Sequence, residues 1–356
     1  MKIEIVRYAV GALLCGLAAL PATAGERVAT RLENGVLFQL VPSDKILRME
    51  KPAFVSRALA DGFMGEFEPV IGIASGDQAK AYPVWMLEGY SVINDALGRR
   101  PIVVTWSPFS FSSCVYERVV DGDSLEFLDS GELWKDALVM IDRGTGSRWS
   151  PLEGRALDGE MQGKHLKVVA STYTKWGKWV DLYTNSVCMT KLGRDMVRSD
   201  FTDYYDRTQQ LGPANSPNPD SRLAGKELIC GFLVGDKPIA VPLYALDLNK
   251  QFELEVDGYP LEVEFDQLSE TAVVYSRVLG LDTLSLVRLD FTKGESYLRR
   301  QDDASTWLTF SGKGLSGTLA DRSLEQIPST LCFWFVWANH YPLTRIWEVP
   351  GSKPLE

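Results

Sequence analysis

The sequence predicts an α+β protein dominated by β-structure, built as two homologous repeats of about 120 residues that form two similar units. Three observations carry that prediction. The chain can be laid on itself, because Ala81-Tyr-Pro-Val-Trp-Met-Leu87 matches Ala240-Val-Pro-Leu-Tyr-Ala-Leu246 at an offset of 159. Short β-branched runs bounded by glycine or proline recur, such as Pro69-Val-Ile-Gly-Ile-Ala74 and Pro101-Ile-Val-Val-Thr-Trp106. Of the 356 residues, 45% are hydrophobic and 24% charged, which is enough to bury a sizeable core and excludes a disordered chain.

From the N-terminus, residues 1–24 read as an export signal. Lys2 and Arg7 precede the apolar run Tyr8 to Leu20, and Ala22-Thr-Ala24 offers small residues to a signal peptidase. That run is too short to span a bilayer, and no later stretch approaches the necessary length. The expected location is therefore the periplasm or the medium, with no stable membrane insertion after cleavage. Residues 25–65 form an N-terminal extension, with a short helix expected over Pro52 to Ala60.

Repeat 1 covers residues 66–187 and repeat 2 residues 225–347. At the offset of 159, Pro101-Ile-Val-Val lies over Pro260-Leu-Glu-Val, and Val115-Tyr116-Glu117-Arg118 over Val274-Tyr275-Ser276-Arg277. Downstream the offset is 158: Trp149, Trp176 and Trp179 meet Trp307, Trp334 and Trp337, and Gly154 and Gly159 meet Gly312 and Gly317. With 10 tryptophans in the chain, three pairs at one offset exclude coincidence. Further strands are expected over Ser124 to Leu128 and Ala137 to Asp142, with turns at Asp121-Gly122 and Gly144-Thr-Gly146. Helices are expected over Val84 to Ala96 and Thr172 to Tyr183, the second placing Trp176 and Trp179 on one face against the β-layer. Residues 188–224 are a connector, in which Gly212 to Ser221 is turn-forming and apolar-poor and Asp200 to Asp206 is acidic and aromatic. Residues 348–356 are a tail.

The formal charge of −10 provides no basic field for a polyanion, so nucleic acid is excluded as a partner. His165 and His340 are the only histidines, so three histidines cannot hold a metal within one chain. Neither has a histidine at its repeat position, where Ser323 and Leu182 stand. There is no Gly-x-Ser-x-Gly elbow, no Cys-x-x-Cys, no His-x-x-x-His and no phosphate-cradling loop. No metal and no cofactor are expected. Once the signal is removed, Cys114, Cys188, Cys230 and Cys332 permit two disulfides in any of three pairings. Cys230 and Cys332 sit in apolar strings where a buried free thiol is equally ordinary. The loop Trp106-Ser-Pro-Phe-Ser-Phe-Ser-Ser113 sets hydroxyls among aromatics, which suits a polar pocket as well as a turn that satisfies its own backbone.

The assembled pattern resembles an uncharacterised prokaryotic family, domain of unknown function 3179. The resemblance runs from Ile46 to Ser56 through Glu68-Pro-Val-Ile-Gly-Ile, Lys80-Ala-Tyr-Pro83, Ile93-Asn94-Asp95, Ser130-Gly131-Glu-Leu, Met140-Ile-Asp142 and Ser147-Arg-Trp149. The family typically has His-Glu where this chain has Tyr90-Ser91, and Cys-Pro-Leu-Cys where it has Ser107-Pro108-Phe109-Ser110. The resemblance implies a shared fold with any metal or redox chemistry lost, since hydroxyls bind soft metals poorly and cannot cycle as a dithiol.

The leading expectation is an exported, non-catalytic protein that binds a small ligand or an envelope protein through a degenerate site in repeat 1. The candidate residues are Tyr82, Tyr90, Ser91, Asn94, Asp95, Ser107, Ser110, Arg118 and Ser130. Arg118 and Arg277 recur in both repeats, which favours a structural role for each. One rival is a periplasmic hydrolase or lyase using Asp95 or Asp142 as base beside tyrosine or serine hydroxyls. Another is a structural component of an envelope assembly.

Overall fold

The computed structural model describes residues 29–32, 35–42, 45–190, 201–248, 251–291 and 296–347. Residues 1–24, with the expected export signal, lie outside them, as does the tail 348–356. Among the described residues β-structure dominates, arranged in several sheets with six short helices, so the fold is α+β. No helix among the described residues is long and apolar enough to cross a membrane.

Each half contributes three main sheets. In the first half a hub sheet runs in the order Thr172–Lys175, Pro69–Ser75, Gln78–Pro83, Val187–Thr190 and Ala53–Ser56. A middle sheet orders Lys167–Val168, Ser112–Glu117, Arg100–Ser107 and Val92–Leu97. An outer sheet orders Ala29–Leu32, Gly35–Gln39, Phe127–Trp134, Ala137–Asp142, Arg148–Ser150 and Arg155–Ala156. In the second half the hub strands are Ser329–Phe333, Leu228–Val234, Lys237–Pro242 and Arg345–Ile346. The middle strands there are Gln251–Val256, Tyr259–Asp266, Thr271–Ser276 and Gln326–Ile327. The outer strands are Leu286–Asp290, Ser296–Arg300, Thr306–Leu308 and Gly314–Ser316.

One apolar core runs through both halves, joining Val70, Ile71, Ile73 and Ala81 to Phe232, Ile239, Val241 and Val263. The halves also cross over one another. Thr174 Oγ1 lies 2.6 Å from Thr271 Oγ1, while the Ser113 N–H donates to Thr330 Oγ1 at 3.2 Å. The helix Trp176–Leu182 sends Lys178 over the Phe310 ring at 4.4 Å. In the reciprocal direction, the helix Trp334–His340 sets the His340 ring edge-on to Trp134, with centroids 5.1 Å apart. Each helix presses a tryptophan onto a hub-sheet glycine, Trp179 on Gly72 and Trp337 on Gly231, where a Cβ would collide with the indole.

The helix expected over Val84 to Ala96 is cut short. It spans Val84–Leu87, turns through Gly89, and gives way to the strand Val92–Leu97, which pairs with Arg100–Ser107. Gly89 weakens helix continuation, and the β-branched pair Val92-Ile93 gains a buried place in the sheet. Similarly, the helix expected over Pro52 to Ala60 resolves into the strand Ala53–Ser56 and the helix Arg57–Ala60. Only the Trp176–Leu182 portion of the Thr172 to Tyr183 expectation is helical, because Thr172–Lys175 completes the hub sheet. Cys114, Cys188, Cys230 and Cys332 are free thiols, the first half-buried and the other three buried.

Candidate functional site

Hub and middle sheets of the first half meet at a polar cluster. Asp95 Oδ2 accepts the Lys80 ammonium at 2.7 Å and the Tyr82 hydroxyl at 2.6 Å. Phe54 backs both partners: its ring meets Tyr82 edge-on with centroids 5.6 Å apart and carries the Lys80 ammonium 4.1 Å from its centre. Burial, then the charge and hydrogen bond of Asp95, push the Tyr82 phenol well above its ordinary range, so it acts as a donor and never as a phenolate. The positions 159 residues later are Ile239, Val241 and Leu254, all buried and apolar, so only the first half carries this cluster.

At the far end of the middle sheet, the Trp106 N–H donates to the Ser91 carbonyl at 3.0 Å. That bond brings Tyr90-Ser91 beside the loop Ser107–Ser110, so the four positions where the family's His-Glu and Cys-Pro-Leu-Cys would stand converge in space. The loop is filled by the protein itself. Ser107 Oγ accepts the Leu138 N–H at 3.2 Å. Ser110, wholly buried, donates to the Ser107 carbonyl at 3.1 Å and lies 2.7 Å from Ser112 Oγ. Above it, Phe109 meets Phe201 and Tyr204 edge-on at 5.4 and 5.3 Å. The Tyr204 hydroxyl donates to the Phe109 carbonyl at 2.9 Å and accepts the Gly212 N–H at 3.0 Å. The connector is thus a roof over this loop; Gly212, the first residue of the stretch expected to be exposed, is buried together with Leu211 before it.

Asn94, Arg118 and Ser130 are spoken for by backbone. Asn94 exchanges two hydrogen bonds with Phe127, at 2.7 and 2.8 Å, tying middle sheet to outer sheet. Arg118 donates to the Leu125 carbonyl at 2.6 Å, as Arg277 does to Leu284 at 3.2 Å. Ser130 donates to the Val139 carbonyl at 2.7 Å across the irregularity in the Phe127–Trp134 strand. The structure therefore joins Tyr82 to Asp95, sets Ser107 and Ser110 under the roof, and brings Tyr90-Ser91 alongside through the Trp106–Ser91 bond. It leaves Arg118 apart from both groups. Asp142 is fully buried, accepting Thr145 N–H at 2.6 Å and Trp149 Nε1 at 3.0 Å, which makes it the anchor of its turn.

An open cleft of roughly 590 Å³ lies along the Phe127–Trp134 strand. Gln39, Arg48, Asp129, Ser130, Glu132 and Arg148 are among its walls, together with Gly146 and Gly159. A narrow neighbouring pocket shares Arg48, Leu128 and Asp129 and reaches Asn94. Arg148 forks onto Asp158, with Nε 2.9 Å from Oδ2, and reaches Glu132 at 3.1 Å. Asp129 sits between the two hollows. Burial raises its carboxyl above the usual range, against hydrogen bonds from the Gly131 N–H, 2.7 Å away, and from Ser91. Arg48 forms no ion pair among the described residues. The sequence reading missed Asp129, Arg48 and Asp158. Glu132 and Arg148 stood inside motifs that marked the fold, but nothing in their spacing announced a shared cleft.

Among the described residues no three His, Cys, Asp or Glu side chains are grouped to hold a metal ion. His165 is exposed. His340 lies 3.0 Å through Nδ1 from Glu153 Oε1, in a buried knot with Arg155 that joins the second half's helix to the first half.

Fold and site together define a β-rich α+β protein with a polar cleft in its first half and no assembled nucleophile or metal centre among its described residues. The model of the family described as a protein of unknown function (DUF3179) matches residues 43–344, and the chain belongs to that family. No curated protein and no solved structure matches it.

Proposed function

We propose that the chain is an exported protein, a duplication of one unit, that binds a small polar ligand without catalysis in the cleft beside Phe127–Trp134. The observation that carries this reading is the pairing at the cleft of Arg48, which has no ion-pair partner there, with the half-buried carboxyl of Asp129. Every other charge on the cleft wall is already matched, Arg148 by Asp158 and Glu132. The vacant valences suit a molecule bearing both an anionic and a cationic group, an amino acid or short peptide in class. The environment of the two acids that a catalytic reading would use supports a non-catalytic role. Asp95 is held by Lys80 and Tyr82 and Asp142 by its turn, so neither is free to move a proton to a substrate. Duplication is supported by the succession of sheets in the two halves and by paired details, such as Gly154 on Tyr116 and Gly312 on Tyr275.

Native mass spectrometry of the protein taken from the exported fraction is the test. A bound organic mass is expected, on a chain beginning at Gly25, with affinity falling about tenfold in Arg48→Ala or Asp129→Asn and unchanged in Ser107→Ala. A bare chain, or binding indifferent to Arg48 and Asp129, overturns the reading.

A further inference from the structure

In the second half, two carboxyls occupy a place where the first half has none. Glu262 and Glu264 alternate along Tyr259–Asp266, so both point to one face of the middle sheet, and both are fully buried. The positions 159 residues earlier are Val103 and Thr105, equally buried, so the fold itself does not require acids here. Both oxygens of Glu262 and Oε1 of Glu264 have no hydrogen-bond partner. The hydroxyls of Tyr275, Ser296 and Thr309 in the same half are buried and also unpartnered. Tyr275 is the direct cross-strand neighbour of Glu262.

The charged and titratable groups around the pair do not neutralise it. From Gln251–Val256 come the Gln251 amide and Glu253, and Glu253 is taken by Arg277 at 2.8 Å. From Thr271–Ser276 comes Tyr275, near Tyr183 at the end of the first-half helix. From the outer sheet comes Arg288, which meets Glu264 Oε2 at 3.1 Å and is shared with Asp290 at 2.7 Å. Asp266, at the end of the same strand, is bound by Lys178 at 3.4 Å. Arg288 thus gives Glu264 one charged donor, divided with the exposed Asp290, while Arg277 serves Glu253 and no hydrogen bond reaches Glu262. One cation does not offset two buried carboxylates, so ionising both is costly and the pair keeps a proton instead.

We propose that Glu262 and Glu264 form an interior proton-binding site, and that emptying it loosens the second half's outer sheet from its middle sheet. Burial pushes Glu262 up to about 7, against Gln251 and Arg277. Burial and the charge of Glu262 push Glu264 well above its ordinary range, against Arg288. Both folded values lie above the unfolded one, so the stabilising contribution is whole in acid and is lost as the pH rises through neutrality. The two protons belong to the pair as a unit. The first half, with Val103 and Thr105, lacks the response.

Hydrogen exchange read by mass spectrometry at about pH 5.5 and about pH 8, corrected for intrinsic rates, tests this on the full chain. The amides of Leu286–Asp290, Ser296–Arg300 and Thr306–Leu308 are expected to exchange roughly tenfold faster at the higher pH. Those of Phe127–Trp134 and Ala137–Asp142 are expected to hold. The Glu262→Gln/Glu264→Gln variant, neutral at every pH and close in shape, is expected to lose the difference. Equal protection at both pH values in wild type, or a difference that persists in the variant, overturns the proposal. Should the variant not fold, infrared titration of the wild type decides. A protonated carboxyl band that fades in step with the outer-sheet amides supports the site, and absence of such a band above the ordinary carboxyl range overturns it.

Discussion

Replacing Gly231 by alanine puts a methyl group into the contact that seats the second helix on its sheet. An added Cβ would stand 2.6 Å from Cε3 and Cζ3 of Trp337. Ordinary carbon contacts lie near 3.5–4.0 Å, so about 1 Å has to be regained by movement. Neither side moves cheaply. Trp337 is buried and its Nε1 donates to Thr344 Oγ1 at 3.0 Å, while Leu228–Val234 is paired on both edges. Gly72 repeats the arrangement more tightly against Trp179, whose Nε1 donates to Ser186 Oγ at 2.7 Å. Overpacking of this kind costs about 1–3 kcal/mol, and the double constraint places both substitutions at roughly 2–3 kcal/mol. Urea unfolding reads this as a lower midpoint at unchanged slope. Trp337→Phe removes part of the obstacle, so its cost in the Gly231→Ala background should be smaller than in wild type by about 1 kcal/mol. A cost below about 0.5 kcal/mol for either glycine, or strict additivity in the cycle, refutes the steric account.

Other consequences are as direct. Burial lowers the His340 imidazole below its ordinary value, against the pull of Glu153, so the unfolded chain binds the proton more readily and stability falls with pH below about 6.5. His340→Leu, the residue at the matching position 182, should shrink the difference in melting temperature between acid and neutral buffer, and an unchanged difference would rule His340 out as the source. Asp95→Asn leaves a mostly buried Lys80 ammonium without its counter-charge and should cost about 2–3 kcal/mol in denaturant, while leaving ligand affinity at the cleft intact. Tyr204→Phe removes the hydroxyl that holds Phe109 and Gly212, and should speed proteolytic nicking of the connector several-fold at a cost of about 1–2 kcal/mol.

The β-character was legible because the chain marks its strands twice, with β-branched runs and with glycine or proline at their ends. Pro69–Ser75 and Arg100–Ser107 lie within a residue or two of where those signals put them. Val84 to Ala96 misled because its first turn is helical and its apolar spacing tolerates a helix; sheet pairing decided the remainder. The connector misled for a different reason. Acidic and aromatic residues together suit a solvated segment anchored by its rings or one packed over a cleft, and only the three-dimensional neighbour, Phe109, shows where the rings go. The cleft was illegible because Arg48, Asp129 and Asp158 come from separated stretches. Glu262 and Glu264 hid in plain alternation: Leu261, Val263 and Phe265 with glutamates between them read as a half-exposed strand, yet a second sheet covers the polar face as well.

The residues that mark the chain as a family member turn out to bond mainly to one another or to backbone. Lys80 and Tyr82 of one motif meet Asp95 of the next. Asn94 holds the strand that leads to Ser130-Gly131-Glu132, Glu132 meets Arg148, and Asp142 meets Trp149. Each of these contacts ties one strand or turn to another, so losing one partner leaves the other with an unmet polar group in a largely dry place. A frame of this sort preserves shape without specifying chemistry. Ser107 and Ser110 are also taken up by the fold, whereas Arg48 has no ion pair among the described residues. Both serines are buried beneath Phe109, Phe201 and Tyr204, and Arg48 is exposed on the cleft wall it shares with Asp129. Binding by this protein is therefore expected at the cleft and not under the connector.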